Sequence, residues 1–366
     1  MEPSTSAAAA VAATATVEGR APSAASIFTP LAKQVREAHL LNRAKGFYFG
    51  LLGVLTGATI ALVVGSFMLG PSWYQLLLAA ALGVLLTQFA FVSHEASHHQ
   101  VFEPGKANDR LGRVLANGVV GISHSWWVTK HTRHHANPNQ LGRDPDIEFD
   151  TISFTTEDAS RKRGFMGAFT RRQGWLFFPL LLLEGLNLHV VSLRTLIASP
   201  RSRMRTWELV TIAARLSVYL GLVFWLLPVG IAAAFVGVQL AVFGVYMGAS
   251  FAPNHKGMAI IPAGAKLDFL SKQVLTSRNV SGGWFMTQLM GGLNHQIEHH
   301  LFPNMPRPQL AKARVLVREH CAANDLPYTE MGLMRSYGVV VRYLNEVGLS
   351  ARDPFDCPTH RRLGGW

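Results

Sequence analysis

Charged side chains and cysteines are scarce in this chain of 366 residues. Asp, Glu, Lys and Arg make up 15% of the sequence, whereas an ordinary soluble domain has about 25%. Apolar residues make up 49%, which argues against a soluble domain and favours a membrane protein. Cys321 and Cys357, the two cysteines, lack the spacing of a metal site. Neither a thiolate cluster nor a disulfide framework is therefore expected, and the active portion is expected to face a reducing cytoplasm.

Basic residues outnumber acidic residues, and the net charge is +12. The lysines and arginines are spread over the segments between apolar stretches and do not form one patch. This distribution favours contact with anionic membrane lipid and follows the positive-inside rule. A nucleic acid partner is therefore not expected.

Four apolar stretches have the length of a membrane-spanning helix, which needs about 20 residues. They are residues 47–69, 73–92, 209–227 and 229–249. Uncharged turns join the members of each pair and basic residues flank the opposite ends, so both termini are predicted in the cytoplasm. Arg215 lies inside the third stretch and is expected either to snorkel to the interface or to pair with Glu208.

The ends of the chain differ from this central part. Residues 1–26 hold almost no large apolar side chain, which predicts a disordered tail. Glu2 precedes a run of Ala and Thr, and this order argues against a signal peptide. We therefore predict a membrane domain over residues 27–345, followed by a C-terminal tail over 346–366.

Clustered histidines are the candidate metal ligands of this sequence. Nine of its fifteen histidines fall in three clusters, His94-Glu-Ala-Ser-His98-His99, His131-Thr-Arg-His134-His135 and His295-Gln-Ile-Glu-His299-His300. Neutral imidazole is the commonest protein ligand for iron, zinc and copper, and residues three or four apart share one face of a helix. One metal rarely takes more than four histidines, so the clusters predict two metal ions at the membrane surface. His255, just beyond the fourth span, is a further candidate ligand.

Residues 175–197 are ambiguous, because Glu184 and Arg194 interrupt their apolar pattern. If this segment crossed the bilayer, the third histidine cluster would face the opposite side from the first two. We therefore predict an interfacial helix here. A second interfacial segment is predicted over residues 111–127, which are too few and too rich in glycine to span.

Two other kinds of metal protein deserve comparison with this pattern. His94, Glu95 and His98 satisfy the H-E-x-x-H pattern of zinc proteases, in which the glutamate is the general base. Such a site needs one further ligand and leaves at least six clustered histidines unexplained. A metal transporter would place ligands inside its spans, but the four predicted spans contain no histidine and no acidic residue.

The histidine clusters and their surroundings resemble the integral-membrane fatty acid desaturases over about residues 40–345. The matching stretches are Trp126-Trp127, His134-His135-Ala-Asn-Pro-Asn139, Asp144-Pro-Asp146 and Asn294-His-Gln-Ile-Glu-His-His-Leu-Phe-Pro303. The resemblance implies an all-α membrane protein in which four transmembrane helices, in two hairpins with interfacial helices, stand beneath a cytosolic helical cap. It also implies a multi-pass protein of the cell membrane whose active site and termini are cytoplasmic.

The resemblance further implies a non-haem di-iron centre with O2 as co-substrate. Its implied ligands are His94, His98, His99, His131, His134, His135, His299 and His300, with His255 as an additional ligand and Asn254 as a contributor through water. In that family each of the three clusters is called a histidine box. The third box usually begins with histidine, but here Gln296 takes that position after His295. His295, Gln296 or a water molecule can complete the third box, and no catalytic side chain is expected beyond the metal centre.

The implied reaction introduces a cis double bond into a long acyl chain, which is carried by coenzyme A, a carrier protein or a membrane lipid. The chain has no His-Pro-Gly-Gly haem motif, so electrons are expected from a separate donor such as ferredoxin, or cytochrome b5 with its reductase. Histidine boxes of this type also serve hydroxylation. A lipid hydroxylase or other oxygenase of the same superfamily therefore stays the alternative.

Other polar side chains are candidates for supporting roles. Those expected to orient the imidazoles are Asp144, Asp146, Glu95, Glu298, Gln296 and His124, because metal-bound histidines usually donate to such groups. Arg161, Lys162, Arg163, Arg171 and Arg172 form a basic stretch. This stretch is expected to meet either the phosphates of a coenzyme A carrier or the lipid headgroups.

Overall fold

Helices form almost all of the computed structural model, which describes residues 26–148 and 151–350. In chain order they are α1 (Phe28–Glu37), α2 (Lys45–Leu69), α3 (Gln75–Ser97), α4 (Gly105–Arg113), α5 (His124–Ala136), α6 (Thr156–Arg161), α7 (Gly164–Thr170), α8 (Gln173–Ala198), α9 (Arg203–Leu226), α10 (Val229–His255), α11 (Phe269–Thr276), α12 (Gly283–Leu289), α13 (Gln296–Leu301), α14 (Arg307–Ala323) and α15 (Leu333–Ser350). A π-helical segment (Val114–Val120) follows α4, and a single 3-10 turn (Leu293–His295) precedes α13. The predicted tail 1–26 lies almost wholly outside the described residues, whereas the predicted tail 346–366 begins inside α15.

The four predicted spans form the helices α2, α3, α9 and α10. Gly70, with a φ of 62°, turns the chain between α2 and α3. The buried Gln75 side chain fixes this turn, because its Nε2 donates to Ser66 O at 2.8 Å and to Gly70 O at 2.9 Å. Pro228 precedes α10 and separates it from α9. Two helical hairpins result, and α3 and α10 continue beyond their apolar stretches to carry His94 and His255.

A fifth helix, α8, is also long and apolar enough to cross a membrane by length and composition. It is a continuous helix of 26 residues over the segment predicted to be interfacial. Its Gly185 lies against Gly244 of α10, where a Cβ atom on Gly244 would stand 2.3 Å from Gly185 N. The two backbones approach this closely because neither residue has a side chain. Helix α8 therefore packs alongside a predicted span.

Arg215 and Glu208 do not pair as one of the sequence alternatives proposed. Arg215 Nε donates to Val119 O in the π-helical segment at 2.9 Å. Glu208 Oε2 instead accepts from the Ser123 and Ser125 hydroxyls at 2.6 and 3.0 Å. Glu208 and Arg215 of α9 thus both bind the segment that leads from the first histidine cluster to the second.

The third histidine cluster lies in a smaller helical layer after α10. Leu31 of α1, Ile297 of α13 and Val317 of α14 are fully buried in one apolar cluster. A two-stranded parallel sheet joins β1 (Asn279–Ser281) to β2 (Glu330–Gly332), with Val280 opposite Met331. This sheet and an isolated parallel bridge between Gln140 and Ile261 depart from the all-helical class.

Candidate metal centre

The histidines reach one place from four helices. His94 lies in the last turn of α3, and His98 is the C-cap residue that follows this helix. The second box is spread over α5, where the Ser123 side chain caps the helix by accepting from Trp126 N. His299 and His300 lie in α13, and His255 is the last residue of α10. Residues that are as much as 206 positions apart, His94 and His300, are thereby brought together.

The side chains form two adjoining groups. In each group the candidate ligand atoms lie within 4.8 Å of one another. The first group contains His94, His98, His131, His135 and His299, and the second contains His134, His255 and His300. His135 of the first group stacks on His300 of the second, with ring centroids 4.2 Å apart. All three boxes therefore contribute to one site.

The nitrogen atoms in the first group are too crowded for hydrogen bonding alone. His131 Nε2 lies 2.8 Å from His94 Nε2, 2.9 Å from His98 Nε2 and 3.0 Å from His135 Nε2. A neutral imidazole has one N–H, so one ring nitrogen cannot satisfy three such contacts. For metal–nitrogen bonds of about 2.1 Å, ligand nitrogens at right angles around one metal ion stand about 3 Å apart. These spacings fit a bound metal.

In the second group, each outer ring nitrogen has an acceptor. His134 Nδ1 lies 3.0 Å from Asp144 Oδ1, His255 Nδ1 lies 2.9 Å from Thr276 O, and His300 Nδ1 lies 2.9 Å from Gln273 Oε1. Each Nδ1 must donate to its acceptor, which leaves the Nε2 lone pairs pointing inward. His134 Nε2 and His255 Nε2 are 3.3 Å apart. Two ring nitrogens at this separation can both face one bound cation.

Buried ring nitrogens without hydrogen-bond partners also fit a bound metal ion. His299 Nε2 and His300 Nε2 are buried and have no hydrogen-bond partner among the described residues. Burial, followed by the neighbouring imidazoles, lowers the pKa of His131, His135, His299 and His300 well below its usual value. These rings are therefore neutral at pH 7, which is the form that binds a metal.

The two aspartates occupy different positions beside His134. Asp144 is fully buried, and its Oδ2 also accepts from Asn139 N at 2.6 Å. Asp146 forms an ion pair with Lys130, and its Oδ2 lies 3.4 Å from His134 Nδ1. Burial lowers the pKa of His134, but Asp146 and Asp144 raise it, and the net direction is upward. Asp144 is thus the closer of the two carboxylates to the ring.

Two predicted ligands lie apart from both groups. Helix α3 ends at Ser97, and His99 follows it with a φ of 56°. Its imidazole is half exposed and lies 3.4 Å from Asp109. His295 belongs to the 3-10 turn before α13, and its Nε2 lies 3.4 Å from Thr287 Oγ1. The neighbouring Gln296 instead reaches the second group, with Nε2 2.9 Å from His255 Nε2.

The predicted orienting residues Glu95, Glu298 and His124 contact no ligand imidazole by a hydrogen bond among the described residues. Glu95 points to the other side of α3 and pairs with Arg307. It is therefore not placed to act as the base of an H-E-x-x-H protease. Glu298 accepts from Asn279 Nδ2 and from the Tyr328 hydroxyl, both at 2.7 Å, and burial raises its pKa to about 7. The nearest hydrogen-bonding side chain to His124 Nε2 is Ser97, at 3.3 Å.

Asn254 lies beside Gln296. Its Nδ2 donates to Gln296 Oε1 at 3.0 Å, while its Oδ1 is buried without a partner in the part of the chain that the structure describes. Thr276 and Gln273 were not predicted, because a backbone carbonyl and a lone glutamine give no signal in a sequence. Their role becomes visible only when α11 packs against the second group.

The five residues of the basic stretch lie at the end of α6, between α6 and α7, and between α7 and α8. Arg161 pairs with Glu157, and Lys162 Nζ lies 3.9 Å from Asp158. Arg163 Nη1 donates to Ser160 O at 2.7 Å. Arg171 and Arg172 lie between α7 and α8. Local partners therefore engage three of these five cations.

An apolar cavity opens beside the first group. Its lining comprises Ala90, Phe91, Ser93, His94, Ala116, Val120, Ile122, Trp126, Trp127, Leu188, Met247 and Phe251. Trp127 stacks on His131, with ring centroids 5.1 Å apart and an angle of 17° between the planes. The cavity thus meets two candidate ligands, His94 directly and His131 across the Trp127 ring. An apolar molecule in this space would lie next to the first group.

Comparisons with known proteins agree with this geometry. The model of the fatty acid desaturase family matches residues 71–332. An acyl-lipid (9-3)-desaturase of Physcomitrium patens is 30% identical over 75% of this chain and 54% of its own length. An acyl-lipid (9-3)-desaturase of Borago officinalis is 30% identical over 74% of this chain and 63% of its own length. A delta(5) fatty acid desaturase of Caenorhabditis elegans is 30% identical over 82% of this chain and 69% of its own length.

The chain spans between about half and two thirds of the length of these curated relatives. The matched region contains all three histidine boxes, His255 and four of the five long apolar helices. Together, the helices and the match identify a membrane protein. The chain belongs to the fatty acid desaturase family.

Proposed function

We propose that this protein is an O2-dependent fatty acyl desaturase that introduces a cis double bond into a long acyl chain. The observation that carries the proposal is the convergence of eight histidines, from all three boxes and α10, on two adjoining groups. The names of the curated relatives, which are acyl-lipid and fatty-acid desaturases, support the same reaction. In the overall reaction, two hydrogens leave the chain and two electrons and two protons come from a separate donor, so that O2 becomes two water molecules.

The proposed cofactor is a pair of non-haem iron ions, one held by each histidine group. When bound, two iron ions supply the chemistry with O2 that removes hydrogen from an unactivated methylene, which no side-chain acid or base achieves. A shell made of imidazoles suits iron. The crowded Nε2 atoms around His131 and the inward lone pairs of the second group support this assignment.

The protein supplies neutral ligands in fixed orientations. Asp144, Thr276 and Gln273 each accept from the outer nitrogen of one imidazole, which selects the tautomer and aims Nε2 inward. We propose that Gln296 completes the third box beside His255, and that His99 and His295 do not bind metal. These assignments rest on the positions of the side chains relative to the two groups.

The apolar cavity is the proposed place for the acyl chain. Its aromatic and aliphatic lining excludes water from the carbon that is attacked, and the stacked Trp127 separates it from His131. Ligand sites of this kind are largely apolar and have a few polar groups at one end. Whether coenzyme A, a carrier protein or a membrane lipid carries the chain is decided by the experiment below.

We further propose four full membrane spans, α2, α3, α9 and α10, with the site and both termini on the cytoplasmic side. Three long helices, α8, α9 and α10, lie between the second and third boxes. If all three crossed the bilayer, the boxes would lie on opposite sides, whereas His135 and His300 are stacked. This contact supports the proposal that α8 does not cross the bilayer completely. The basic residues that flank the spans support a site on the cytoplasmic side.

The test is production of the full chain in a host of known fatty acid composition, followed by mass spectrometry of the products. A new unsaturated acid, absent when His131→Ala replaces the wild type, is expected, together with about two irons per chain in metal analysis. Separate analysis of thioesters and lipids identifies the carrier. A hydroxylated chain without an alkene would assign the oxygenase alternative, and a single zinc per chain would contradict the proposal.

A further inference from the structure

Helix α12 is a short apolar element with glycine pairs at both ends. It lies in a run without charged side chains, residues 279–294. Gly282 and Gly283 precede the body of the helix with φ values of 153° and 66°, and Gly291 and Gly292 follow it with 59° and 83°. Only glycine adopts such angles readily. The chain therefore turns sharply immediately before and immediately after α12.

Two large aromatic side chains project from this element. Trp284 is 77% exposed and Phe285 is 66% exposed, although α12 itself packs on the fold through Met286 and the buried Thr287. Large apolar groups that face water together are unusual in a stable protein. We therefore expect another molecule to cover these two side chains, and the contacts of α12 indicate what kind of molecule it is.

The contacts place α12 beside the membrane-spanning part of the fold. Tyr246 of α10 donates to Leu289 O at 2.6 Å, and Gln88 Nε2 of α3 donates to Gln288 O at 3.2 Å. Gln88 precedes His94 by six residues, and Tyr246 precedes His255 by nine. At 1.5 Å per helical residue, the donors lie roughly 9 and 14 Å on the membrane side of the ligands. Both also fall inside the spans predicted from the sequence, 73–92 and 229–249.

These hydrogen bonds solve a problem that arises only away from water. The last carbonyl groups of a helix lack partners within the helix, and in a bilayer an unsatisfied backbone group costs several kcal/mol. Here side chains of two spanning helices supply donors for Gln288 O and Leu289 O. A lipid environment explains both the aromatic exposure and the polar contacts.

We propose that α12 and its flanking glycines form a re-entrant segment of the membrane, with Trp284 and Phe285 among the lipid chains. Trp is enriched at membrane interfaces for its amphipathic ring. The segment leads directly into the third box, since Gly291 and Gly292 immediately precede the 3-10 turn at Leu293. Contact with lipid therefore anchors the chain on the membrane side of the metal centre.

The experiment measures the depth of spin labels in lipid nanodiscs. Labels are attached to Trp284→Cys or Phe285→Cys in the full-length chain whose two cysteines are replaced, Cys321→Ala and Cys357→Ser. Collision rates with O2, which partitions into lipid, and with a water-soluble nickel chelate give the depth. Val54→Cys, on the exposed face of the predicted span α2, is the lipid reference, and Lys312→Cys, on the exposed face of α14, is the water reference.

We expect the labels at 284 and 285 to resemble the Val54 label, with O2 collisions several times more frequent than chelate collisions. Chelate accessibility equal to that of the Lys312 label would overturn the proposal and favour a protein partner at this surface. As a check that needs no cysteine, brominated lipid should quench wild-type tryptophan emission more than that of Trp284→Phe. Equal quenching would also count against the proposal. Neither measurement depends on iron or on desaturation.

Discussion

Glu95 and Arg307 form a buried, two-point ion pair that links the first histidine box to the segment after the third. Arg307 Nε and Nη2 donate to the two carboxylate oxygens at 2.8 and 2.7 Å, and the side chains are 1% and 2% exposed. The Tyr48 hydroxyl donates to the same carboxylate at 3.2 Å. Glu95 is adjacent to His94, so this pair joins α3 to α14 directly beside the candidate metal centre.

Removal of Glu95 alone should destabilise the protein strongly. Glu95→Ala leaves the guanidinium buried without its partner, and losses of about 3–5 kcal/mol are typical in such cases. The double variant Glu95→Leu with Arg307→Met keeps the volume and removes both charges, so we expect it to unfold much closer to the wild type. Thermal unfolding of the purified protein in nanodiscs provides the comparison. If the single and double variants lose the same stability, the charge pair is not what holds α3 and α14 together.

Asp144 should control metal binding through His134. Asp144→Ala removes the acceptor of His134 Nδ1, and loss of such partners usually weakens metal affinity about 10- to 100-fold. Iron retention against increasing chelator is the measurement. Asp146→Asn is the matched control, because this more exposed carboxylate has Lys130 as its ion-pair partner, and a smaller effect is expected. An Asp144→Ala protein that holds iron like the wild type would remove this aspartate from the site.

The two kinds of clustered histidine should behave differently when replaced. His131→Ala removes the ring at the centre of the first group, so both iron content and product formation should be lost. His99→Ala removes a half-exposed ring beside Asp109, and the iron content should stay near that of the wild type. Metal analysis of both purified variants tests the assignment. Loss of iron from His99→Ala would return this residue to the ligand set.

The sequence predicted the parts of the fold that depend on local pattern. The four apolar stretches form the helices α2, α3, α9 and α10, because length and hydropathy are sufficient to identify a long apolar helix. The i, i+3 and i+4 spacing within the boxes brought His94 and His98, and likewise His131, His134 and His135, to a common side. His255 was singled out by its position just after a predicted span, and the structure places it beside His134 and His300 in the second group.

The sequence-based expectations differ from the structure in two situations. Either a helix ends inside the pattern, or a residue distant in the sequence determines the contact of a side chain. The i, i+4 rule does not extend to His99, since the helix has ended and the backbone has turned to positive φ. Glu95 follows His94 directly and therefore faces away from it by about 100°, where the distant Arg307 determines its role. Thr276 and Gln273 orient ligands only because α11 packs beside them. Nothing in their own neighbourhood of the sequence indicates that contact.

The glycine contact between α8 and α10 should be intolerant of even one methyl group. A Cβ on Gly244 would lie 2.3 Å from Gly185 N and 2.5 Å from Leu181 O, and neither backbone atom can move without shifting its helix. For Gly244→Ala we expect a loss of about 1–3 kcal/mol from overpacking. Activity should also fall, because α8 carries Leu188 into the wall of the apolar cavity.

Gly237→Ala is the control for this change in the same helix. A Cβ at Gly237 has no atom within 4 Å, and alanine is the better helix former by about 1 kcal/mol. This variant should therefore be as stable as the wild type or slightly more so, with unchanged product formation. Thermal unfolding and fatty acid analysis of the two variants side by side are the measurements. If Gly244→Ala matched Gly237→Ala in both, close packing of α8 on α10 would not be what positions the cavity wall.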